Sequence, residues 1–290
     1  MSNIRRYIVI IGAMKSGTTT LFDTLARHPE VSPALNKEPG FFAFDEVWDK
    51  GFDWFDTLFD FDPAQHAYRL EASTDYTKAP FVTGVWDRMT AHDDVEVKLI
   101  YIMRHPLRRL ESHAKHTERL KREIGREVSP RPSHSLDAGL SPVSLAISAY
   151  ASQLDHFEEA KAAGKLHCLT LEALREDPEA TMAAVWDFLG LEPLEIGEKI
   201  EASNASRDQT RVNPLWRALT SVQPLLAVVK SVLPTGLRAR LRDRFRQKKV
   251  RVEGRFSLND SETTFLETFY RGELTRLRNV YNVDISSWKT

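Results

Sequence analysis

The sequence predicts an α/β fold, a doubly wound and mainly parallel sheet with helices on both faces. Four short apolar segments are typical of strands, and segments with helical periodicity lie between them. Each strand is followed by turn residues or a helix start, as parallel βαβ units require. The predicted strands are Tyr7–Ile11, Tyr68–Glu71, Val97–Met103 and Leu166–Leu171, and the predicted helices are Thr18–Arg27, Phe81–Ala91, Leu107–Arg122, Ser144–Ala163 and Glu179–Leu189.

The first strand runs through a glycine-containing turn into the first helix. The turn, GAMKSGTTT over residues 12–20, contains a lysine, a serine and three threonines. Backbone N–H groups and the positive end of a helix converge on an anion at such a junction. The predicted phosphate ligands are Ser16, Gly17, Thr18 and Thr19. The sheet is therefore expected to be P-loop-like, although an ordinary capped strand–helix junction is the alternative.

The loop differs from the Walker A pattern G-x-x-x-x-G-K-[ST] in the position of its lysine. Gly12 and Gly17 have the Walker spacing, but Thr18 follows the second glycine. The lysine is Lys15, two residues before that glycine. We therefore expect a phosphate cradle in which the cation approaches from a different position.

A second anion site is predicted where the strand Val97–Met103 ends. Arg104 follows this strand, Pro106 opens a helix, and Ser112 lies two turns along that helix. A guanidinium and a hydroxyl at the carboxyl edge of the sheet suit a phosphate. Together the two sites predict one ligand with two separated phosphates.

Metal-dependent phosphoryl transfer needs an acid at a strand end to hold Mg²⁺. Arg104 and His105, rather than an acid, follow the third predicted strand. Glu71 ends the second predicted strand, and Asp75 lies beyond a turn after it. The sequence thus predicts no metal. A P-loop kinase or NTPase remains the alternative enzyme, and a non-catalytic nucleotide- or glycan-binding module is a third hypothesis.

Composition indicates an ordinary globular protein of 290 residues with 42% hydrophobic and 28% charged residues and a net charge of −1. We expect a single domain over residues 1–290 and no nucleic-acid partner. Cys168 is the single cysteine, which excludes an intrachain disulfide. With no signal peptide and no apolar run of 18 residues, the sequence favours a cytoplasmic protein. Nothing in it predicts an oligomeric state.

Two segments depart from the alternating pattern. Residues 123–143 are rich in Ser, Pro, Gly and charge, which predicts a lid or loop. A basic amphipathic insertion spans about 214–251, and eight of the fourteen residues 238–251 are Arg or Lys. Three interpretations of this insertion stay open. It is a solvated helix that lies on the core, or it covers the second phosphate site and adds Lys249 or Arg251 to it. In the third interpretation it binds acidic glycans or an anionic membrane surface.

Four motifs resemble the sulfotransferases that use 3′-phosphoadenosine 5′-phosphosulfate (PAPS), and within them the heparan-sulfate branch. They are GAMKSGTTTL, NKEPGFF, IMRHPLRRLESH and LTLEALREDPEATMAAVWDFLGL, in this order along the chain. The resemblance covers most of residues 7–192 and returns weakly at 258–288. The chain departs from the branch at Glu71-Ala72-Ser73, where a lysine is often found near the serine.

The resemblance implies in-line transfer of a sulfuryl group from PAPS to a hydroxyl or amine, without a metal. It implies that Lys15 stabilises the charge on the leaving nucleotide and that Arg104 and Ser112 hold the 3′-phosphate. Glu38 is the implied general base, and His113 and His116 are its rivals. A glycan, a lipid or a small metabolite could each be the acceptor.

Overall fold

The computed structural model describes residues 4–123, 142–195, 209–210, 249–250 and 257–288. The chain divides into two units, Met1–Ala202 with Phe256–Thr290, and Ser203–Arg255. In the second unit, β6 (Gln209–Thr210) pairs antiparallel with β7 (Lys249–Val250). The expectation of a single domain over 1–290 stays a prediction.

The first unit is built on a five-stranded parallel sheet with the order β2-β3-β1-β4-β5. β1 lies at the centre, so the chain starts in the middle of the sheet and adds strands to both sides. This arrangement confirms the predicted parallel, doubly wound sheet. The strands are β1 (Arg5–Gly12), β2 (Val31–Pro33), β3 (Tyr68–Ala72), β4 (Val95–Met103) and β5 (Leu166–Thr170).

Alternate side chains of β1 enter two separate hydrophobic clusters, because successive residues of a strand face opposite sides. Tyr7 and Val9 pack on one face, and Ile8 and Ile10 on the other. Helices cover both faces, as predicted. The helices are α1 (Thr18–Leu25), α2 (Asp45–Trp48), α3 (Gly51–Asp56), α4 (Val85–Met89), α5 (Pro106–Glu123), α6 (Pro142–Ser148), α7 (Tyr150–Leu154), α8 (Glu158–Ala162), α9 (Leu171–Glu176), α10 (Pro178–Leu189) and α11 (Asp260–Asn279).

The helix predicted over Ser144–Ala163 is wrong as a single element. It is three helices, α6, α7 and α8, with a 3₁₀ turn between the last two. The first break is at Ala149, whose ψ of 69° is not helical. Past the break, the Gln153 side chain bonds both to the N–H and to the carbonyl of Ala79 at 2.9 Å. Tertiary hydrogen bonds thus accompany a conformation that local propensity does not favour.

The aromatic-rich segment after Lys37 forms core rather than a strand or a pocket wall. Phe41 and Phe55 are fully buried and stacked, with ring centroids 4.2 Å apart. Phe55 also stacks on Tyr7 of β1 at 5.3 Å. The periodicity analysis missed α2 and α3 here, and also the three-residue strand β2, because all three are shorter than the windows that reveal a period.

α11 returns to the first unit and packs against α5 and α7. Its capping box joins Asn259 and Glu262, and Leu266 and Tyr270 pack with the buried leucines of α5. Glu273 accepts from both the N–H and the hydroxyl of Ser152. Among the described residues, no helix is both long and apolar enough to cross a membrane.

Candidate functional site

The turn after β1, residues 12–17, requires both of its glycines. Gly12 has a φ of +149°, and a Cβ there would lie 2.2 Å from Thr77 Oγ1. Gly17 has a φ of +97°, and a Cβ there would lie 2.6 Å from Leu171 Cδ1. Any side chain at either position would therefore clash and would also need an unfavourable backbone conformation.

Lys15 adopts the left-handed region that favours glycine, with a φ of 69°. This conformation costs roughly 1–2 kcal/mol for a residue with a Cβ. The turn is held by two backbone bonds, from Ala13 N–H to the Ile102 carbonyl at 2.7 Å and from Ser16 N–H to the Ala13 carbonyl at 3.1 Å. Strain of this kind is concentrated at functional sites.

Ser16 is fully buried at the end of this turn. Its Oγ has no hydrogen-bond partner among the described residues, although the Tyr150 hydroxyl, which donates to the Arg104 carbonyl at 2.7 Å, lies nearby. The first N–H groups of α1, from Thr18 onward, have no partner within the helix. A buried hydroxyl and a helix N-terminus at one place are the donors that a phosphate requires.

Arg104 lies at the carboxyl tip of β4, the strand next to β1. Its Nε is buried and has no hydrogen-bond partner among the described residues. Burial, followed by the positive charge of Arg175, lowers the pKa of the Arg104 guanidinium. An incompletely bonded, partly desolvated cation is suited to binding an anion.

The buried face of α5 contributes a second arginine, Arg109. Its side chain is fully buried and is held by neutral groups: the Ser148 hydroxyl at 2.5 Å, the Ser144 carbonyl at 2.5 Å and the Ser144 hydroxyl at 2.9 Å. Arg109 Nη1 also lies 3.1 Å from His113 Nδ1. No ion pair with a carboxylate is found for Arg109 among the described residues, so its charge adds to the positive potential of the site.

Lys37 and Glu38 lie at the edge of the phosphate-binding turn. Lys37 Nζ donates to Glu38 Oε1 at 2.9 Å and lies 3.5 Å from Thr18 Oγ1. The Glu38 side chain is 46% exposed, so an acceptor can reach its carboxylate from solvent. Glu38 is thus ion-paired with Lys37, and the ammonium group of Lys37 also lies close to Thr18.

Glu71 is a fully buried carboxyl at the end of β3, behind Lys37 and Glu38. The Ser73 hydroxyl donates to Glu71 Oε2 at 2.9 Å and accepts from the Gly40 N–H at 3.0 Å. Burial raises the pKa of Glu71 to about 8, against the lowering effect of nearby hydroxyls and of Lys37. This chain of bonds fixes the segment that contains Glu38 to the sheet.

For the remaining predicted site residues, the structure gives only their burial or the element to which they belong. Ser112 and His116 are half-buried on α5, and Thr19 is half-buried in the first turn of α1. Lys249 belongs to β7, but its side chain, like all of Arg251, lies outside the described residues. Residues 124–141 of the predicted lid also lie outside them. The roles proposed for Lys249, Arg251 and the lid stay predictions.

Sequence reasoning missed Lys37, Arg109 and Arg175. Lys37 was recognised only as part of a motif, and Arg175 follows a strand that was predicted to run to Leu171. Arg109 could have been found from helical spacing, since it lies between the buried positions Pro106 and Leu110 of α5. A charged residue on a buried helix face is the signal that was available.

A cavity of about 300 Å³ lies elsewhere in the first unit, lined by residues 76–87 and 155–159. Its lining includes Asp87, Asp155, Glu158 and Glu159. A lining with four carboxylates disfavours a phosphorylated ligand. Among the described residues, no group of three or more His, Cys, Asp or Glu side chains could hold a metal ion.

The parallel sheet and the anion-binding turn after its first strand define a P-loop-like α/β protein. A family model described as a sulfotransferase domain matches residues 5–224. This match covers more than half of the chain, and the chain therefore belongs to the sulfotransferase family. The resemblance inferred from the four motifs is confirmed.

Two human relatives are similar to this chain. Heparan sulfate glucosamine 3-O-sulfotransferase 6 is 31% identical over 190 residues, which cover 63% of this chain and 52% of the relative. Heparan sulfate glucosamine 3-O-sulfotransferase 3B1 is 30% identical over 189 residues, covering 63% and 45%. The chain thus spans about half the length of the curated relatives it matches.

A solved structure, a sulfotransferase from Alicyclobacillus acidocaldarius, shares the fold. The two structures have a TM-score of 0.59 with 99% of each chain covered, at 18% sequence identity. At this identity the likeness establishes the fold alone.

The buried carboxyl of Glu71 predicts a distinctive dependence of stability on pH. Its folded pKa of about 8 lies above the value of 4.5 in an unfolded chain. Folding therefore resists ionisation of Glu71, and its contribution to stability falls as pH rises from about 4.5 to about 8. The Glu71→Gln variant lacks this loss, so its free energy of unfolding should rise relative to wild type by up to about 1.4 kcal/mol per pH unit.

Urea unfolding of both proteins at several pH values measures this difference. The exposed Glu176→Gln replacement is the matched control, for which no such trend is expected. A difference that is independent of pH between 5 and 8 would contradict a buried, neutral Glu71.

Proposed function

We propose that this protein transfers the sulfuryl group of PAPS to a hydroxyl group of its acceptor. The observation that supports this most directly is a pair of buried polar atoms, Ser16 Oγ and Arg104 Nε, for which the described part of the chain offers no hydrogen-bond partner. They belong to the ends of neighbouring strands. Buried polar groups are normally bonded, and two anions of one nucleotide would complete both.

The donor is held by its two phosphates. The 5′ end lies against the turn, where Ser16, Gly17, Thr18 and Thr19 offer hydroxyl and N–H donors. The 3′-phosphate lies against Arg104, with Ser112 on α5. Charge-assisted bonds at two ends fix both the position and the direction of the nucleotide.

Sulfuryl transfer has the same requirements as phosphoryl transfer, namely alignment and stabilisation of charge. The acceptor oxygen forms a bond to sulfur while the bond from sulfur to the bridging oxygen breaks. Negative charge then develops on the oxygen that stays with adenosine 3′,5′-bisphosphate. Lys15 stabilises that charge, and its left-handed backbone directs the ammonium group from within the turn.

Glu38 accepts the proton that the acceptor hydroxyl loses during attack. Its carboxylate is half-exposed, is held by the Lys37 ammonium, and therefore keeps one orientation close to the turn. After transfer, Glu38 holds the proton and the sulfuryl group is bonded to the acceptor oxygen. The nucleotide product departs as an anion.

We infer that the acceptor is a glucosaminyl glycan or a molecule with similar hydroxyl groups, because the two human relatives are named for transfer to glucosamine in heparan sulfate. The lysine that the glycan branch often has near Ser73 is absent here. The acceptor contacts of this chain therefore differ from those of its relatives. Lipid and small-metabolite acceptors belong in the same screen.

Phosphoryl transfer is the competing chemistry. Membership of the sulfotransferase family disfavours it, and the two reactions differ in their need for metal. A transfer assay with ³⁵S-labelled PAPS in EDTA, run beside ATP with Mg²⁺, separates them. Label reaching an acceptor in EDTA supports sulfuryl transfer, whereas turnover that needs ATP and Mg²⁺ contradicts it.

Replacing Lys15 by methionine should lower the turnover number about a hundredfold to a thousandfold, since one donor to a developing oxyanion contributes roughly 3–4 kcal/mol. The measurement is kcat with saturating PAPS and acceptor. Lys98→Met is the control, because Lys98 lies opposite Ile8 of β1 and its ammonium donates to the Phe188 carbonyl of α10. A Lys15 variant with more than a tenth of wild-type turnover would exclude this role.

Replacing Arg104 by alanine should weaken binding of adenosine 3′,5′-bisphosphate by about tenfold to a hundredfold, the value of one hydrogen bond to a charged group. Binding of 5′-AMP, which lacks the 3′-phosphate, should change less than threefold. Calorimetric titration of each nucleotide makes the comparison within one variant. Equal losses for the two ligands would show that Arg104 does not recognise the 3′-phosphate.

The Glu38→Gln variant should lose about a hundredfold or more in turnover, the usual contribution of a general base. Gln keeps the shape and the hydrogen-bonding oxygen but cannot accept the proton. Glu46→Gln, on the exposed first turn of α2, is the matched control. If Glu38→Gln has an unchanged rate, another group takes the proton.

A further inference from the structure

The contact between Arg109 and His113 fixes where the imidazole carries its proton. Arg109 Nη1 lies 3.1 Å from His113 Nδ1. A guanidinium has only donors and cannot accept a hydrogen bond. His113 Nδ1 must therefore present its lone pair to Arg109, and the single proton of the neutral ring is on Nε2.

The position of Arg109 is fixed, because hydrogen bonds anchor the guanidinium on its other sides. Ser148 and Ser144 accept from it through two hydroxyls and one carbonyl, all within the buried interface between α5 and α6. The arginine thus serves as a fixed donor, and the edge of the imidazole that carries Nε2 is directed away from it.

The surroundings of His113 are strongly positive. On its own helix Arg109 and His116 act on it, Lys15 acts from the phosphate-binding turn, and Lys78 acts from the segment after β3. The Lys78 ammonium is paired with the Asp75 carboxylate at 2.5 Å. Burial first, and then these positive groups, lower the pKa of His113 to about 4. The ring is neutral at physiological pH.

A half-buried N–H donor next to the phosphate-binding turn and surrounded by cations matches an anion. We propose that His113, within the sulfuryl transfer proposed above, donates its Nε2–H to an anionic oxygen of PAPS, and that Arg109 is the positioning residue that holds it in this tautomer. The oxygen belongs either to a phosphate of the nucleotide or to the sulfuryl group, and binding experiments distinguish the two.

This role also separates His113 from the general base. A base needs a free lone pair directed at the acceptor, but Nε2 already carries a proton and Nδ1 is occupied by Arg109. Moving the proton to Nδ1 would place two donors against each other in a buried site. His113 is thereby removed as a rival of Glu38.

The tautomer is measured directly, without turnover, by long-range ¹H–¹⁵N correlation spectra of the full-length protein. His113 should show an unprotonated Nδ1 and a protonated Nε2 throughout pH 6–8. His167 is the internal control, because burial is the cause that lowers its pKa. A spectrum with the proton on Nδ1, or with both nitrogens protonated at pH 7, would overturn the inference.

Two variants test the donor. In His113→Asn the amide oxygen can still accept from Arg109, but nothing reaches the position of Nε2. In His113→Gln the amide nitrogen reaches approximately that position. We expect His113→Asn to bind the nucleotide about tenfold to a hundredfold more weakly, and His113→Gln to recover binding to within about threefold of wild type.

Calorimetry with adenosine 3′,5′-bisphosphate and with PAPS, each without acceptor, locates the bond. Weaker binding of both ligands to His113→Asn assigns it to a phosphate, and weaker binding of PAPS alone assigns it to the sulfuryl group. Equal affinities for wild type and His113→Asn, or equal losses in Asn and Gln variants with native unfolding temperatures, would refute the donor role. A wild type that binds neither nucleotide would overturn the proposed function and the donor role, while the spectra would still judge the tautomer.

Discussion

The register between β1 and β4 is the constraint on which the site depends. The two strands pair in parallel over most of their length, and the Ala13 N–H then bonds to the Ile102 carbonyl just beyond the last paired residues of β1. This bond turns the chain out of the sheet within two residues of Arg104. Main-chain hydrogen bonds thus fix the ends of both strands where the anion sites are proposed. A shift of one residue would move every side chain of β1 to the wrong face.

Positive charge is concentrated near the ends of β1 and β4. Among the described residues, carboxylates balance this charge only in part. Arg109 is buried among hydroxyls and a carbonyl, and Arg104 keeps an unbonded Nε. Burying a cation without a carboxylate is unfavourable. This arrangement costs stability, which an anion that completed the bonds would recover. Burial, together with this positive charge, lowers the pKa of the neighbouring His113 imidazole.

The sequence predicted the parts of the fold that have a clear period or strong punctuation. Four of the five strands of the main sheet and the turn after β1 were found, because apolar runs ended at Gly12 or at Arg104. β2 and the helices around Phe41–Phe55 were missed, since their order comes from aromatic packing that has no local pattern. The roles of Lys15 and Glu38 were inferred from motifs and stay predictions. Arg109, Lys37 and Glu71 owe their behaviour to burial and to neighbours far along the chain, which spacing alone does not give.

The interruption at Ala149 has a consequence for attempts to stabilise the protein. In an unbroken helix, residues 148 and 150 would point about 200° apart, yet here the Ser148 hydroxyl binds Arg109 and the Tyr150 hydroxyl binds the Arg104 carbonyl. Alanine is already the best helix former, so the kink is maintained against the preference of the residue that contains it. Engineering that straightens this stretch to gain helicity would separate the two hydroxyls, one bonded to the Arg109 guanidinium and the other to the backbone carbonyl of Arg104. A change at Ala149 that raises thermal stability is therefore expected to lower the activity of the site.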